Sequence, residues 1–276
     1  MRKIVRILGL IQLIRNKKQY SAPIRRKLIR TLLYLEYKWY LHPHSNQAVV
    51  INILHYKVHT YGYANICLLF REIFVEEEYQ YFSCTEPNPV IIDCGANIGL
   101  ATLYLKWKFP GAEIHAFEPD PSAYELLQKN VESNRITGVH LYNLAAMAMP
   151  GSIRFYRSQH SAASLMMSTL KGRMADESIE VKAIDFPDFV QQSGATYLKI
   201  DIEGAETTVF ERMHTHTGFG QIRQLIMEYH HKIEGNPAAF ARMLYILEAH
   251  QFEYNIITKF ETPGQFQDVL IYAWRN

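Results

Sequence analysis

The stretch Val90-Ile-Ile-Asp-Cys-Gly-Ala-Asn-Ile-Gly99 constrains this chain most. An apolar run meets an acid, then a glycine-rich turn, then helix-like spacing over residues 100–109. This predicts a strand, a tight turn and a helix, the opening unit of a nucleotide-type α/β fold. A Cβ at Gly95 or Gly99 would obstruct close approach of the backbone to a ligand, or packing of the helix on the strand. About twenty residues on, Ile114-His-Ala-Phe-Glu-Pro119 ends a second strand in an acid. A carboxylate there, Glu118, can accept hydrogen bonds from both hydroxyls of a ribose.

A dinucleotide fingerprint would read G-x-G-x-x-G, but Asn97 and Leu100 hold the second and third glycine positions counted from Gly95. This mismatch opposes a dehydrogenase. The pattern D-x-G-x-N-x-G over 93–99 instead resembles the S-adenosylmethionine (SAM) loop of class I methyltransferases. The resemblance implies that Asp93 lies near the methionine end of SAM and that the backbone of Gly95, Ala96, Asn97 and Gly99 wraps its amino-acid moiety. It also implies that Glu118 and Pro119 border the ribose. Asn143 and Ala145 stand where many class I enzymes contact adenine, and Asp201 lies beside the methionine end.

Further along, Tyr197-Leu-Lys-Ile-Asp-Ile-Glu-Gly-Ala-Glu206 resembles the K-x-D-x-E-G-x-E signature of FkbM-type methyltransferases. Phe70-Arg-Glu-Ile-Phe74, Phe117-Glu-Pro-Asp-Pro121 and Met227-Glu-Tyr-His230 resemble other parts of that pattern, so the likeness spans roughly residues 68–231. It implies a SAM-dependent O-methyltransferase acting on hydroxyls of sugars, glycans, lipid-linked sugars or other secondary metabolites. A nucleic-acid methyltransferase is opposed by Asp201-Ile-Glu-Gly standing where an N/D-P-P-Y/F tetrapeptide is expected. A non-catalytic relative would be expected to have lost the glycine loop or the acids, and both are present.

From residue 89 onward, strands are expected at 90–94, 113–118, 139–144, 196–201, 222–229, 252–258 and 267–274. Helices are expected near 99–109, 121–133, 186–192, 205–213 and 236–249. This alternation predicts an α/β architecture, a mostly parallel seven-stranded sheet with helices on both faces. The two last strands, with no helix between them, suit the antiparallel terminal strand of a Rossmann-like class I methyltransferase. The expected division is a basic helical extension (1–46), a β-rich and helical lead-in cap (47–88) and the SAM-dependent domain (89–276). A chain of 276 residues can bury the core this needs. Cys67, Cys84 and Cys94 have neither metal-ligand spacing nor a disulfide framework, so a reducing, cytoplasmic compartment is expected, with Cys94 a small filler rather than a nucleophile.

Residues 1–40 hold eleven Lys/Arg and one acid, Glu36, a net charge of +10 against −8 for the rest of the chain. Two helices are expected, about 3–14 with Ile4, Ile7, Leu8, Ile11 and Ile14 on one side, and about 23–41 with Ile24, Leu28, Leu32, Leu35 and Trp39 at helical spacing. Charges interrupt both well short of a membrane span, and no secretory signal is read. The segment has three readings: packing on the catalytic layer with a solvated basic face, peripheral contact with an inner membrane surface, or, least favoured, nucleic-acid binding.

Residues 47–82 read as a β-rich lead-in with a helix near 65–76; His55, His59 and Tyr63 are weak candidates for facing substrate. An insertion after the third strand holds an added strand at 152–156, then a Ser-, Ala- and Met-rich loop in which Gln159, His160, Ser161 and Ser164 are candidate acceptor contacts. Asp185 is expected to cap a helix.

Methyl transfer to a small-molecule or glycan hydroxyl needs in-line positioning and a base or a metal. Two pairs stand at strand ends, Asp201/Glu203 and Glu228/His230. Each is spaced i, i+2, so within a strand both members share a face. Class I strand order puts the two strands side by side. In the favoured reading His230 takes the hydroxyl proton while a carboxylate orients its ring. In the alternative, Asp201, Glu203, Glu228 and His230 hold a divalent cation. Lys199 is placed to pair with one of these acids, and Glu206 to begin the next helix as a structural acid.

Overall fold

A computed structural model describes residues 2–79, 86–157, 177–231, 239–258 and 267–276. The candidate acceptor contacts Gln159, His160, Ser161 and Ser164, and also Cys84, lie outside the described residues.

The chain opens with an antiparallel helical hairpin, α1 (Arg2–Asn16) and α2 (Ala22–Leu41), followed by a β-hairpin, β1 (Ala48–Ile53) and β2 (Tyr56–Tyr61). Helix α3 (Ala64–Phe70) continues into a wider π-type turn over Arg71–Glu76, which ends at Glu77 in the left-handed region. On α2 the expected face is the buried one: Leu28, Leu32 and Leu35 are fully covered. On α1 the face is rotated. Leu10 and Ile14 are buried and Ile7 and Ile11 half-buried, while Ile4 and Leu8 face solvent. Apolar residues surround α1, so periodicity alone does not select a side; packing against α2 and the π-type turn does.

Two buried polar ties brace this region internally, and a third fixes it to the rest. Glu36 pairs with Arg71 at 2.5 Å. Glu77 accepts from Lys17 at 2.6 Å and from the Tyr20 hydroxyl. Asn130, on helix α5 below, accepts from the His59 N–H at 2.6 Å and donates to the His59 and Ile98 carbonyls at 3.0 and 2.8 Å. One apolar core runs from Leu10, Ile14 and Leu28 through Phe70 and Phe74 to Ile91, Leu103 and Tyr104.

The catalytic layer follows as β3 (Val90–Cys94), α4 (Leu100–Lys108), β4 (Glu113–Phe117), α5 (Pro121–Ser133) and β5 (Val139–Tyr142). Next come β6 (Ala145–Met147), β7 (Gly151–Arg157), β8 (Glu177–Asp185), α6 (Phe186–Ser193), β9 (Tyr197–Ile200) and α7 (Glu206–Arg212). The chain closes with β10 (Gln224–His231), α8 (Phe240–Ala249), β11 (Glu253–Thr258) and β12 (Gln267–Trp274). The main sheet has seven strands in the order β11-β12-β10-β9-β3-β4-β5. All its pairings are parallel except those of β12, which runs antiparallel to both β10 and β11. This is the expected α/β architecture, with the antiparallel strand inserted beside β10.

The insertion forms more than one added strand: β6, β8 and β7 make a separate sheet. Asp120 and Asp185 cap α5 and α6, accepting from the N–H groups of Ala123 (2.8 Å) and Asp188 (3.1 Å).

Candidate active site

The loop after β3 bends because Gly95 has φ +76°, and the carbonyl oxygen of Asp201 occupies the space of a side chain there: a Cβ would lie 1.8 Å from it. A Cβ on Gly99 (φ +84°) would lie 2.6 Å from Leu127 Cδ1. The first glycine therefore admits the neighbouring strand end, and the second admits α5. The N–H groups of Gly95 and Ala96 both donate to the Phe117 carbonyl, at 3.0 and 2.9 Å. The loop is thereby tied to the end of β4.

Behind the loop Asp93 is fully buried. It accepts from the Thr102 hydroxyl at 2.6 Å and pairs with Lys199 at 3.4 Å. Lys199 also donates to the carbonyls of Cys94 (3.0 Å) and Gly95 (2.7 Å) and lies 3.7 Å from Asp201. Burial alone would lower the Lys199 pKa, but Asp93 and Asp201 outweigh it and hold it above the ordinary lysine value. This ammonium clamps two strand ends. The Cys94 thiol is fully buried and pushed well above its ordinary pKa by desolvation, which fits a filler.

At the end of β4, Glu118 accepts from the N–H of Asn97 and of Asp120, each at 2.8 Å. Burial pushes its carboxyl up to about 8, against the pull of those two N–H groups. A cavity opens here, lined by Gly95, Ala96, Asn97, Glu118, Pro119 and Ala145 together with Asp201, Glu203 and Glu228. Leu69, Glu72, Ile73, Glu78 and Tyr79, from α3 and the residues after it, close one wall. Asp93, Gly99 and Asn143 are not among the lining residues. Asn143 instead donates to the carbonyls of Glu118 and Pro119, at 2.9 and 3.1 Å, steadying the end of β4 from behind. His55, His59 and Tyr63 do not line the cavity either.

The ionisable cluster converges, but by a different route for each pair. Glu228 and His230 do lie within one strand, at i, i+2 on β10. Asp201 and Glu203 lie beyond the end of β9, in a turn where Glu203 takes φ +55°. Strand alternation therefore does not bring these two acids together; the left-handed turn does. Gly204, at φ +105°, continues it.

His230 sits behind the carboxylates. Its Nδ1 lies 2.8 Å from Glu206 Oε1, and its Nε2 lies 3.1 Å from Glu203, 3.7 Å from Asp201, 3.9 Å from Glu228 and 4.0 Å from Asp268. Burial alone would lower its pKa; the charge and hydrogen bond of Glu206, with Asp201 and Glu228, raise it to about 9. Glu228 is pushed up to about 8 by burial and by Asp201, with His230 opposing.

Two residues here escaped sequence reading. Glu206 does begin α7, yet its carboxylate also turns back to accept from the Gly204 N–H (3.0 Å to each oxygen) and to hold the His230 ring. Asp268 arrives on β12, directly opposite His230 in the antiparallel register. Only the sheet order reveals it.

Asp201, Glu203 and His230 offer ligand atoms within 4.8 Å of one another, as do Glu228, His230 and Asp268. Both trios depend on a His230 ring whose nitrogens already face Glu206 and Glu203.

Residues 93–254 match the family model described as "Methyltransferase FkbM domain". Methyltransferase 1 of Beauveria bassiana (strain ARSEF 2860) is 30% identical over 166 residues, which cover 50% of this chain and 64% of that protein. The 31-O-demethyl-FK506 methyltransferase FkbM of Streptomyces tacrolimicus is 27% identical over 216 residues, covering 67% of this chain and 80% of its own. The chain thus spans between about half and two thirds of the first curated relatives it matches. A solved FkbM methyltransferase from Methylobacillus flagellatus KT aligns at TM-score 0.45 and 14% identity, over 98% of this chain and 60% of that one. With the family model covering more than half of its length, the chain belongs to the FkbM family of SAM-dependent methyltransferases.

Proposed function

We propose that this protein transfers a methyl group to a hydroxyl of a small molecule, sugar or glycan. One observation carries the reading: the glycine loop, Glu118 and the carboxylates Asp201, Glu203 and Glu228 all line a single cavity. The residues fit SAM. Glu118 is buried at a strand end, where a ribose would meet it, and Gly95, Ala96 and Asn97 line the cavity beside it. Bound there, SAM supplies an electrophilic methyl on its sulfonium sulfur.

The chain's own residues then have two tasks. Asp201, Glu203 and Glu228 receive the acceptor hydroxyl, and Asp201 or Glu203 takes its proton as the oxygen bonds to the methyl carbon, Glu228 being already protonated near neutral pH; the old carbon–sulfur electron pair stays on sulfur. His230, held by Glu206, remains protonated and offsets the charge those acids concentrate. This moves the proton acceptor from His230 to a carboxylate in front of it. We favour the metal-free reading, and the chelator comparison below decides it, because Glu203 and Nε2 of His230, 3.1 Å apart, are also atoms that would share a cation. The Streptomyces relative is a 31-O-demethyl-FK506 methyltransferase, which supports an oxygen acceptor here.

The test is calorimetric titration of the purified protein with SAM and with NADH, followed by turnover on macrolide and sugar alcohols with and without chelator. Micromolar SAM binding, no NADH binding and chelator-insensitive methyl ether formation are expected. NADH binding without SAM binding would overturn the proposal, and methylation confined to nitrogen acceptors would overturn its oxygen assignment.

A further inference from the structure

Steps of four, three, four and three residues place Arg26, Arg30, Leu33, Tyr37 and Tyr40 on one stripe of α2, opposite the buried Leu28, Leu32 and Leu35. The stripe faces solvent. Tyr40 is 72% exposed, Tyr37 60% and Leu33 44%. Its C-terminal half lies beside the first turn of α1, where Lys3 Nζ stands 5.4 Å from the Tyr40 ring. The next two α1 residues, Ile4 and Val5, are each 64% exposed. Exposed apolar and aromatic groups thus gather where the end of α2 meets the start of α1, while the stripe's own arginines, Arg26 and Arg30, lie toward its other end.

The same segment has a net charge of +10, and its single acid, Glu36, is buried against Arg71, so no carboxylate of residues 1–40 faces outward. A second copy of this surface would be repelled. Nucleic acid would leave the exposed aliphatic Ile4, Val5 and Leu33 unserved. An anionic bilayer serves both halves: tyrosines and aliphatic groups settle at the headgroup–acyl boundary while arginines and lysines meet phosphates. No helix among the described residues is long and apolar enough to cross a membrane, so the contact lies in the plane of the surface.

We propose that the outer face of the α1–α2 hairpin docks this protein on anionic lipid. This stands independently of the acceptor and of the chemistry in the cavity.

The test is flotation of the full chain with vesicles of phosphatidylcholine alone and of phosphatidylcholine with 30% phosphatidylserine. It is run at about 0.1 M and 0.5 M salt, with a single-stranded RNA competitor in a parallel arm. Binding confined to the anionic vesicles and weakened by salt is expected. Both Y37S/Y40S and R26E/R30E should bind at least tenfold more weakly, with unchanged melting temperature and SAM affinity. All four positions are exposed, so folding is not at stake. No flotation with anionic vesicles, equal flotation with neutral ones, full displacement by RNA, or undiminished binding by both variants would overturn the proposal.

Discussion

Glu206 Oε1 lies 2.8 Å from Nδ1 of His230, across 24 residues of sequence, and the same carboxylate closes the Gly204 turn. One side chain thus sets both the ring orientation and the turn that presents Glu203. Glu206→Gln should lower kcat about a hundredfold, the lower end of general acid–base contributions, with SAM affinity unchanged. Turnover and titration on the same preparation check this. An unchanged kcat would reduce Glu206 to a helix-start residue.

Glu118→Ala should weaken SAM binding. Each hydrogen bond to an uncharged carboxyl contributes about 0.5–1.5 kcal/mol, so losing two should raise Kd roughly five- to a hundredfold. Calorimetry reads it directly. Equal affinity in the variant and the parent would remove Glu118 from the ribose site.

Lys199→Met removes the cation paired with the buried Asp93. Leaving such a charge uncompensated costs about 3–5 kcal/mol. Denaturant unfolding should show a loss of that order, and adding Asp93→Asn should recover part of it. A loss below about 1 kcal/mol would mean that Lys199 is not the clamp between β3 and β9.

Gly95→Ala places a methyl group on the Asp201 carbonyl and forces alanine into the left-handed region. The backbone strain alone costs about 1–3 kcal/mol, and the clash must displace the loop. The variant should melt lower and lose SAM binding. Retained binding would show that the loop tolerates a different path.

Stability should fall as pH rises. Glu118 and Glu228 keep their protons when folded up to about 8, against 4.5 ordinarily, and His230 up to about 9, against 6.5. In each window the unfolded chain has released a proton that the folded chain retains, so raising pH favours unfolding. The melting temperature should decline from about pH 6 to pH 9, and Glu228→Gln should flatten the lower part of that decline. A melting temperature that rises over this range would contradict the burial of these groups.

The sheet was legible because buried parallel strands such as Val90–Cys94 and Tyr197–Ile200 read as mainly apolar runs, the second broken only by Lys199, that lead to Asp93 and Asp201. The face of α1 was not, because Ile4, Val5, Leu8 and Leu13 compete with Leu10 and Ile14, and only a partner decides. The Asp201/Glu203 pair was found for the wrong geometric reason: spacing suggested alternation, whereas a left-handed Glu203 does the work. Asp268 was invisible because its neighbour across the sheet, His230, is set by strand order and antiparallel register. Glu206 was read only in its local role, since a helix-start acid looks the same whether or not it grips a distant ring.

The insertion of β12 between β10 and β11 also bears on the order of assembly. Leu69 and Asp268 stand at opposite ends of the sequence that lines the cavity, and β10 gains its outer neighbour only after β11 has been synthesised and passed over. Such distant pairings are slow to close. On the ribosome, a cofactor cradle from β3 and β4 would be assembled before its acidic wall, and competence for chemistry would come last.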